Sequence, residues 1–252
     1  MNKIERITSV NNDLVKETVK LHQRKRRDES GRFLLEGFKV IEEAYRAGIE
    51  IETVFVLTDK ALEYDFAKVV LTTEAVLKKI STTNSAPEAV AVGVQRRYDK
   101  SVLKDAKKVV LLENIKDLGN LGTILRTCAA FGVDAAALYG ESADIYNPKC
   151  VRASVGNLWK IPVVSLEELS MFKDFERIAT LPRAKTELKD FTVKEPYLLM
   201  FGSEAGGLSQ ELIDFGTRQV RIEMSGDVES LNLGVACGII LHQLNCMYSI
   251  DK

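Results

Sequence analysis

The chain has 252 residues, 46% of them hydrophobic and 28% charged, enough for a buried core under a soluble surface, which excludes a mainly disordered chain. Its 35 basic and 36 acidic side chains leave a net charge of −1, so bulk charge advertises no polyanion and only local clustering could bind one. No apolar run approaches the ~20 residues of a membrane helix, and the start Met1-Asn-Lys-Ile-Glu-Arg lacks a secretory pattern, so a cytoplasmic chain without membrane attachment is expected.

The spacing predicts a helix over 11–27, capped at Asn12 or Asp13, with Leu14, Val15, Val19 and Leu21 as its apolar stripe. It ends in the densest basic run of the chain, Arg24-Lys25-Arg26-Arg27. Phe33-Leu34-Leu35 reads as a strand, followed by Glu36-Gly37. A helix over 40–47 is closed by Gly48, a strand covers 54–57, two short helices fall between 60 and 80, and a strand covers 89–94. These elements make an α/β domain of residues 1–98. The polar stretch 99–107 reads as a linker before a second domain, 108–252. There, strands at 109–112, 135–139, 161–164, 178–181, 197–201 and 220–222 accompany helices at 121–131 and 231–247. Strands alternating with helices predict a mostly parallel sheet covered on both faces.

The four cysteines, Cys128, Cys150, Cys237 and Cys246, form no C-x-x-C pair and read as reduced thiols. The two histidines, His22 and His242, are far apart, so no metal site is expected. No two glycines lie two residues apart, so G-x-G-x-x-G cannot occur; the P-loop and nucleophile-elbow patterns are also missing. A cofactor on this sheet would need another loop arrangement.

Three segments carry chemistry. Glu113-Asn-Ile-Lys-Asp117-Leu-Gly119-Asn120-Leu-Gly122-Thr-Ile-Leu-Arg126 follows a strand and opens a helix, at the end of a parallel sheet where ligands bind. Arg126 offers a planar fork of donors to an anionic oxygen. Phe201-Gly202-Ser203-Glu204-Ala205-Gly206-Gly207-Leu208 is a Gly-rich turn with one acid, suited to exposed backbone at a ligand. Ile222-Glu223-Met224 leads through a polar loop to Ser230-Leu231-Asn232-Leu-Gly234-Val-Ala236, where Ser230 is a competent N-cap and Gly234, Ala236 and Gly238 let another backbone approach.

In this order the three segments resemble the SpoU (TrmH-like) branch of the SPOUT superfamily of RNA ribose 2′-O-methyltransferases. Asn147-Pro148-Lys149 and Arg152-Ala153-Ser154-x-Gly156 are similar to the family's intermediate segment, and residues 1–98 to its L30e-like RNA-binding front domain. The resemblance implies an α/β SPOUT catalytic domain with a carboxyl-terminal trefoil knot, a homodimer, and S-adenosylmethionine as cofactor. It implies cofactor contacts at Gly202, Ile222 and Leu231, with Phe201, Met224 and Ala236 lining the pocket. It makes Arg126 the catalytic residue, with Asn120, Glu204, Ser230 and Asn232 completing the polar shell. Arg24, Lys25, Arg26, Arg27, Lys149 and Arg152 are the expected RNA contacts. The implied reaction is 2′-O-methylation of RNA, foremost 23S rRNA. The alternatives are a tRNA 2′-O-methyltransferase and a non-catalytic RNA-binding ribosome-assembly factor. The sequence departs from the family pattern at Glu223 (usually Pro), Ser203 (often Asn), Gly234 (often Ser) and Leu118 (often Pro).

Overall fold

A computed structural model describes residues 4–57, 66–226 and 228–250, the last four of these as backbone only. The chain divides into two compact units: residues 1–96 with 144–159, and residues 97–143 with 160–252.

The first unit opens with β1 (Glu5–Ile7), α1 (Asp13–Lys20), α2 (Arg24–Ser30), β2 (Arg32–Glu36) and α3 (Phe38–Arg46). It continues with β3 (Ile51–Val56), β4 (Lys68–Thr72), α4 (Glu74–Ile80) and β5 (Ala89–Val94). The five strands form one sheet in the order β1-β4-β3-β5-β2. β5 runs antiparallel to both of its neighbours, and the other pairs are parallel. Alternation along β2 sends Leu34 into a core with Val15, Leu21, Phe55, Val70, Leu77 and Ile80. Phe33 packs instead against Tyr146 and Trp159 in tilted ring contacts, with centroids 4.8 and 5.9 Å away. Both faces of β2 are therefore covered, which explains its uninterrupted apolar run.

The second unit holds β6 (Lys108–Glu113), α5 (Leu118–Ala130) and β7 (Ala135–Tyr139). The chain then re-enters the first unit for residues 144–159, which include α6 (Pro148–Ser154). It returns for β8 (Val163–Leu166), β9 (Glu176–Thr180), β10 (Tyr197–Phe201), α7 (Gln210–Phe215), β11 (Arg218–Val220) and α8 (Leu233–Ile250). The six strands lie in the order β11-β9-β10-β6-β7-β8, and every pair is parallel. Among the described residues no helix is long and apolar enough to cross a membrane.

Four expectations need correction. The helix expected over 11–27 is two helices, because Gln23 is extended between them. The break has a cause: the carbonyls of Leu21 and His22 accept hydrogen bonds of 2.7 and 2.9 Å from the Arg27 guanidinium instead of continuing one helical ladder. Of the two short helices expected between 60 and 80, α4 is present and Lys68–Thr72 is the strand β4; residues 58–65, where the other would fall, lie outside the described residues. The stretch 99–107 is no free linker, since Asp99 caps a turn of 3-10 helix whose Leu103 is buried in the core of the second unit. Nor does the second unit hold the whole of 108–252, because 144–159 pack in the first.

Two ion pairs explain that packing. Arg27 is 1% exposed, and its Nε and Nη2 donate to Asp144 Oδ2 at 2.9 and 2.6 Å. Arg152 pairs with the buried Glu36, which also accepts the Thr82 amide at 2.6 Å. Gly156 seals the return, since a Cβ there would collide with Glu43 of α3. Arg27 is thus a buried tie and not an RNA contact. Arg27→Lys keeps the charge but loses the fork, leaving backbone carbonyls unpaired; it should destabilise the protein by about 1–2 kcal/mol in a urea titration.

Candidate active site

The carboxyl ends of β9, β10 and β11 open onto a cavity of about 400 Å³. All six residues expected to hold the cofactor, Phe201, Gly202, Ile222, Met224, Leu231 and Ala236, line it. Glu204, Ser230 and Asn232 line it as well. A parallel sheet exposes its strand ends and loop backbone at this edge, so ligands collect there.

The Gly-rich turn closes on itself. Ser203 and Gly207 exchange backbone hydrogen bonds of 3.1 and 2.8 Å. A Cβ on Gly202 would overlap the Gly207 carbonyl, so only glycine lets the two backbones meet. Ser203 stands where the family often has Asn, and its hydroxyl accepts the Gly206 amide at 3.1 Å to brace the same turn. The turn is tied to β6 by the buried Glu113, whose carboxylate accepts the Ser209 amide at 2.7 Å.

Asn120 joins the segments. Asp117 caps α5 by accepting the Asn120 amide at 2.7 Å, which sets the first helical turn. The Asn120 side chain then donates to Glu204 Oε1 at 2.7 Å and accepts from Asn232 Nδ2 at 2.9 Å. One residue from each motif thus meets in a single polar line beside the cavity. Asn232 also accepts the Val235 amide at 3.2 Å, so it, not Ser230, caps α8. Ser230 is left facing the cavity.

α8 lies against α5. A Cβ on Gly234 would press on Thr123, which explains glycine where the family often has Ser; Gly238 faces Thr127 one turn on. Buried Cys128 and Cys237 meet at this seam, and the hydrogen bond between them, with burial, raises the Cys237 thiol well above its ordinary pKa. All four cysteines are free.

Arg126 does not line the cavity. It is exposed, and among the described residues its guanidinium has no partner. It stands six residues after Asn120 on α5, a rise of about 9 Å. Arg24, Lys25 and Arg26 are exposed on α2, each paired loosely or closely with Asp28 or Glu29. Lys149 is exposed, whereas Arg152 is engaged with Glu36 and Thr82. No group of His, Cys, Asp and Glu among the described residues could hold a metal.

Sequence reasoning missed Thr180, Leu181 and Pro182, which wall the cavity from the end of β9, and Arg221 beside Ile222. Apolar and backbone-facing residues give no motif; only the alignment of strand ends marks them.

The class of protein follows from this arrangement and from its relatives. Residues 107–242 match the SpoU rRNA Methylase family, and residues 12–91 match the MRM3-like substrate binding domain. The chain is 34% identical to an uncharacterized tRNA/rRNA methyltransferase of Synechocystis sp., over 95% of this chain and 93% of the relative. It is 28% identical to the 23S rRNA (guanosine(2553)-2′-O)-methyltransferase RlmP of Bacillus subtilis, over 96% of this chain and 99% of that protein. A crystal structure of an AdoMet-bound rRNA methyltransferase from Sinorhizobium meliloti superposes with a TM-score of 0.84, at 29% identity, over 95% and 97% of the two chains. The chain belongs to the SpoU rRNA methylase family.

Proposed function

We propose that this chain transfers the methyl group of S-adenosylmethionine to a ribose 2′-oxygen of 23S rRNA. The observation that carries the reading is the convergence of the second and third motifs on one cavity, with the first tied to both through Asn120. The cavity is in the ~300–1,000 Å³ range of small-ligand sites. Its walls suit this cofactor: Phe201, Met224, Leu231 and Ala236 offer apolar surface to the adenine and thioether parts, and the turn at Gly202 offers backbone. When bound, the cofactor supplies an electrophilic methyl group on a sulfonium.

The residues divide the remaining work. Asn120, fixed between Glu204 and Asn232, orients the ribose edge. Arg126 clamps the phosphate next to the target and stabilises the negative charge that grows on the 2′-oxygen as its proton leaves. Alignment of the 2′-oxygen with the methyl carbon contributes much of the acceleration. The protein acts as a homodimer. Val235 and Ile239 are 52% and 40% exposed one turn apart on α8, an apolar stripe that His242 and Cys246 extend. Arg126 stands on α5, the helix packed against α8 beside that stripe. The cavity draws on four separate stretches between 180 and 240, as a trefoil-knotted path would gather them. The four free thiols, two of them in contact, suit the reducing cytoplasm.

The first unit holds the RNA. Arg24, Lys25 and Arg26 on α2, with Lys149, form the phosphate-binding set. Replacing Arg24, Lys25 and Arg26 together with Ala should weaken RNA binding and reduce the slope of log K against log salt by about 2–3 in a filter-binding series.

Labelled cofactor offered with separated 23S rRNA, 16S rRNA and tRNA tests the substrate. Label in undermodified 23S rRNA is expected. Label in tRNA alone would move the enzyme to the tRNA branch, and label in none would favour an assembly factor.

A further inference from the structure

The outer wall of the cavity is the extended chain Arg221-Ile222-Glu223-Met224, of which Arg221, Ile222 and Met224 line the space. It is the last stretch before the polar loop into α8. Its support comes from residues 186–190. The Arg221 amide donates to the Thr186 carbonyl at 3.0 Å, and the Leu188 amide donates to the Arg221 carbonyl at 2.8 Å. Among the described residues, no backbone hydrogen bond continues this support beyond Arg221.

Four alternating charges continue it. Arg221 pairs with Glu187. Lys189 Nζ lies 2.7 Å from Glu187 Oε2 and 3.0 Å from Glu223 Oε2. Hydrogen bonds that Lys189 donates to Glu187 and then to Glu223 raise its pKa, and Lys189 in turn lowers that of Glu187. Glu187 and Lys189 therefore both stay ionised at neutral pH.

We infer that Lys189 is a positioning residue for the cofactor: it pulls Glu223 back onto the 186–190 arm and so holds Ile222 and Met224 in the cavity wall. The inference rests on reading the cavity as the S-adenosylmethionine site. It also gives a role to Glu223, where the sequence departs from the family's usual proline. A proline would stiffen this backbone covalently; here an ion-pair chain does it. An isolated exposed pair contributes little, because two flexible side chains must be ordered. In this chain one end is already fixed, since backbone hydrogen bonds hold Leu188 and Arg221 in register.

The brace has a signature that a covalent one lacks. Cofactor affinity should fall as salt rises, because the charges at Lys189 and Glu223 are solvent-exposed.

The test is isothermal titration of S-adenosylmethionine into the full-length protein at low and high salt, for wild type, Lys189→Met and Lys189→Arg. Wild-type affinity should weaken with salt. Lys189→Met should bind about two- to fivefold more weakly at low salt and lose most of the salt dependence, while Lys189→Arg restores both. The turnover rate at saturating cofactor and RNA should be unchanged in all three, and the melting temperature of the free protein should move by no more than about 2 °C. Equal affinity and equal salt dependence in wild type and Lys189→Met would overturn the inference. So would a large drop in melting temperature, which would make Lys189 a general structural residue. A wild-type protein that binds no S-adenosylmethionine would instead overturn the reading of the cavity.

Discussion

Arg126→Ala is expected to lower the single-turnover rate of methyl transfer about 10²–10³-fold, the usual cost of removing one donor aimed at developing charge. The rest of the protein should barely register the change. Arg126 is exposed, is not part of the cavity wall, and has no partner among the described residues. Cofactor affinity and melting temperature should therefore match the wild type. Arg126→Lys should recover little of the rate, because an ammonium cannot hold a phosphate and a 2′-oxygen with one planar fork. Rapid-quench assays with labelled cofactor measure the rate, and titration calorimetry measures the binding. A variant that keeps most of the rate would remove Arg126 from the chemistry.

Gly202→Ala should weaken S-adenosylmethionine binding about a hundredfold while leaving RNA binding intact. The added methyl group falls on the Gly207 carbonyl and the Leu208 amide, which are backbone and cannot rotate away. The turn 203–207 must open, breaking the Ser203–Gly207 hydrogen bonds and shifting Glu204, the partner of Asn120. Overpacking of this kind costs about 1–3 kcal/mol where relaxation is possible, and more where it is not. Calorimetry against the cofactor, with filter binding against RNA, separates the two effects. Equal loss of both would mean that the substitution unfolds the protein as a whole.

The parallel sheet was legible because its strands are short apolar runs between turn signals, and Tyr197–Phe201 and Ala135–Tyr139 fall where the pattern put them. The cavity wall was legible because glycine and polar residues recur in a fixed order after strand ends. Other features depended on tertiary structure. Arg27 and Arg26 are adjacent and alike in sequence, yet one is buried on Asp144 and the other exposed beside Glu29; a partner 117 residues away decides it. β4 escaped because Val69-Val70-Leu71 is too short to separate strand from helix by period. The return of 144–159 to the first unit had no local signal, since the carboxylates that hold it, Glu36 and Asp144, belong to different parts of the chain. Asn120, Glu204 and Asn232 were each expected in the site, but their mutual hydrogen bonds required the fold.

The most direct test of the central claim is the chemical identity of the methylated product. Undermodified 23S rRNA labelled from S-adenosylmethionine by the wild-type protein would be hydrolysed in alkali and then digested to nucleosides. A 2′-O-methyl group blocks attack of that oxygen on the adjacent phosphate, so the label should remain in an alkali-stable dinucleotide and then appear as one 2′-O-methylnucleoside. Label released in alkali-sensitive mononucleotides carrying a methylated base would contradict the assignment of ribose 2′-O-methylation to this cavity.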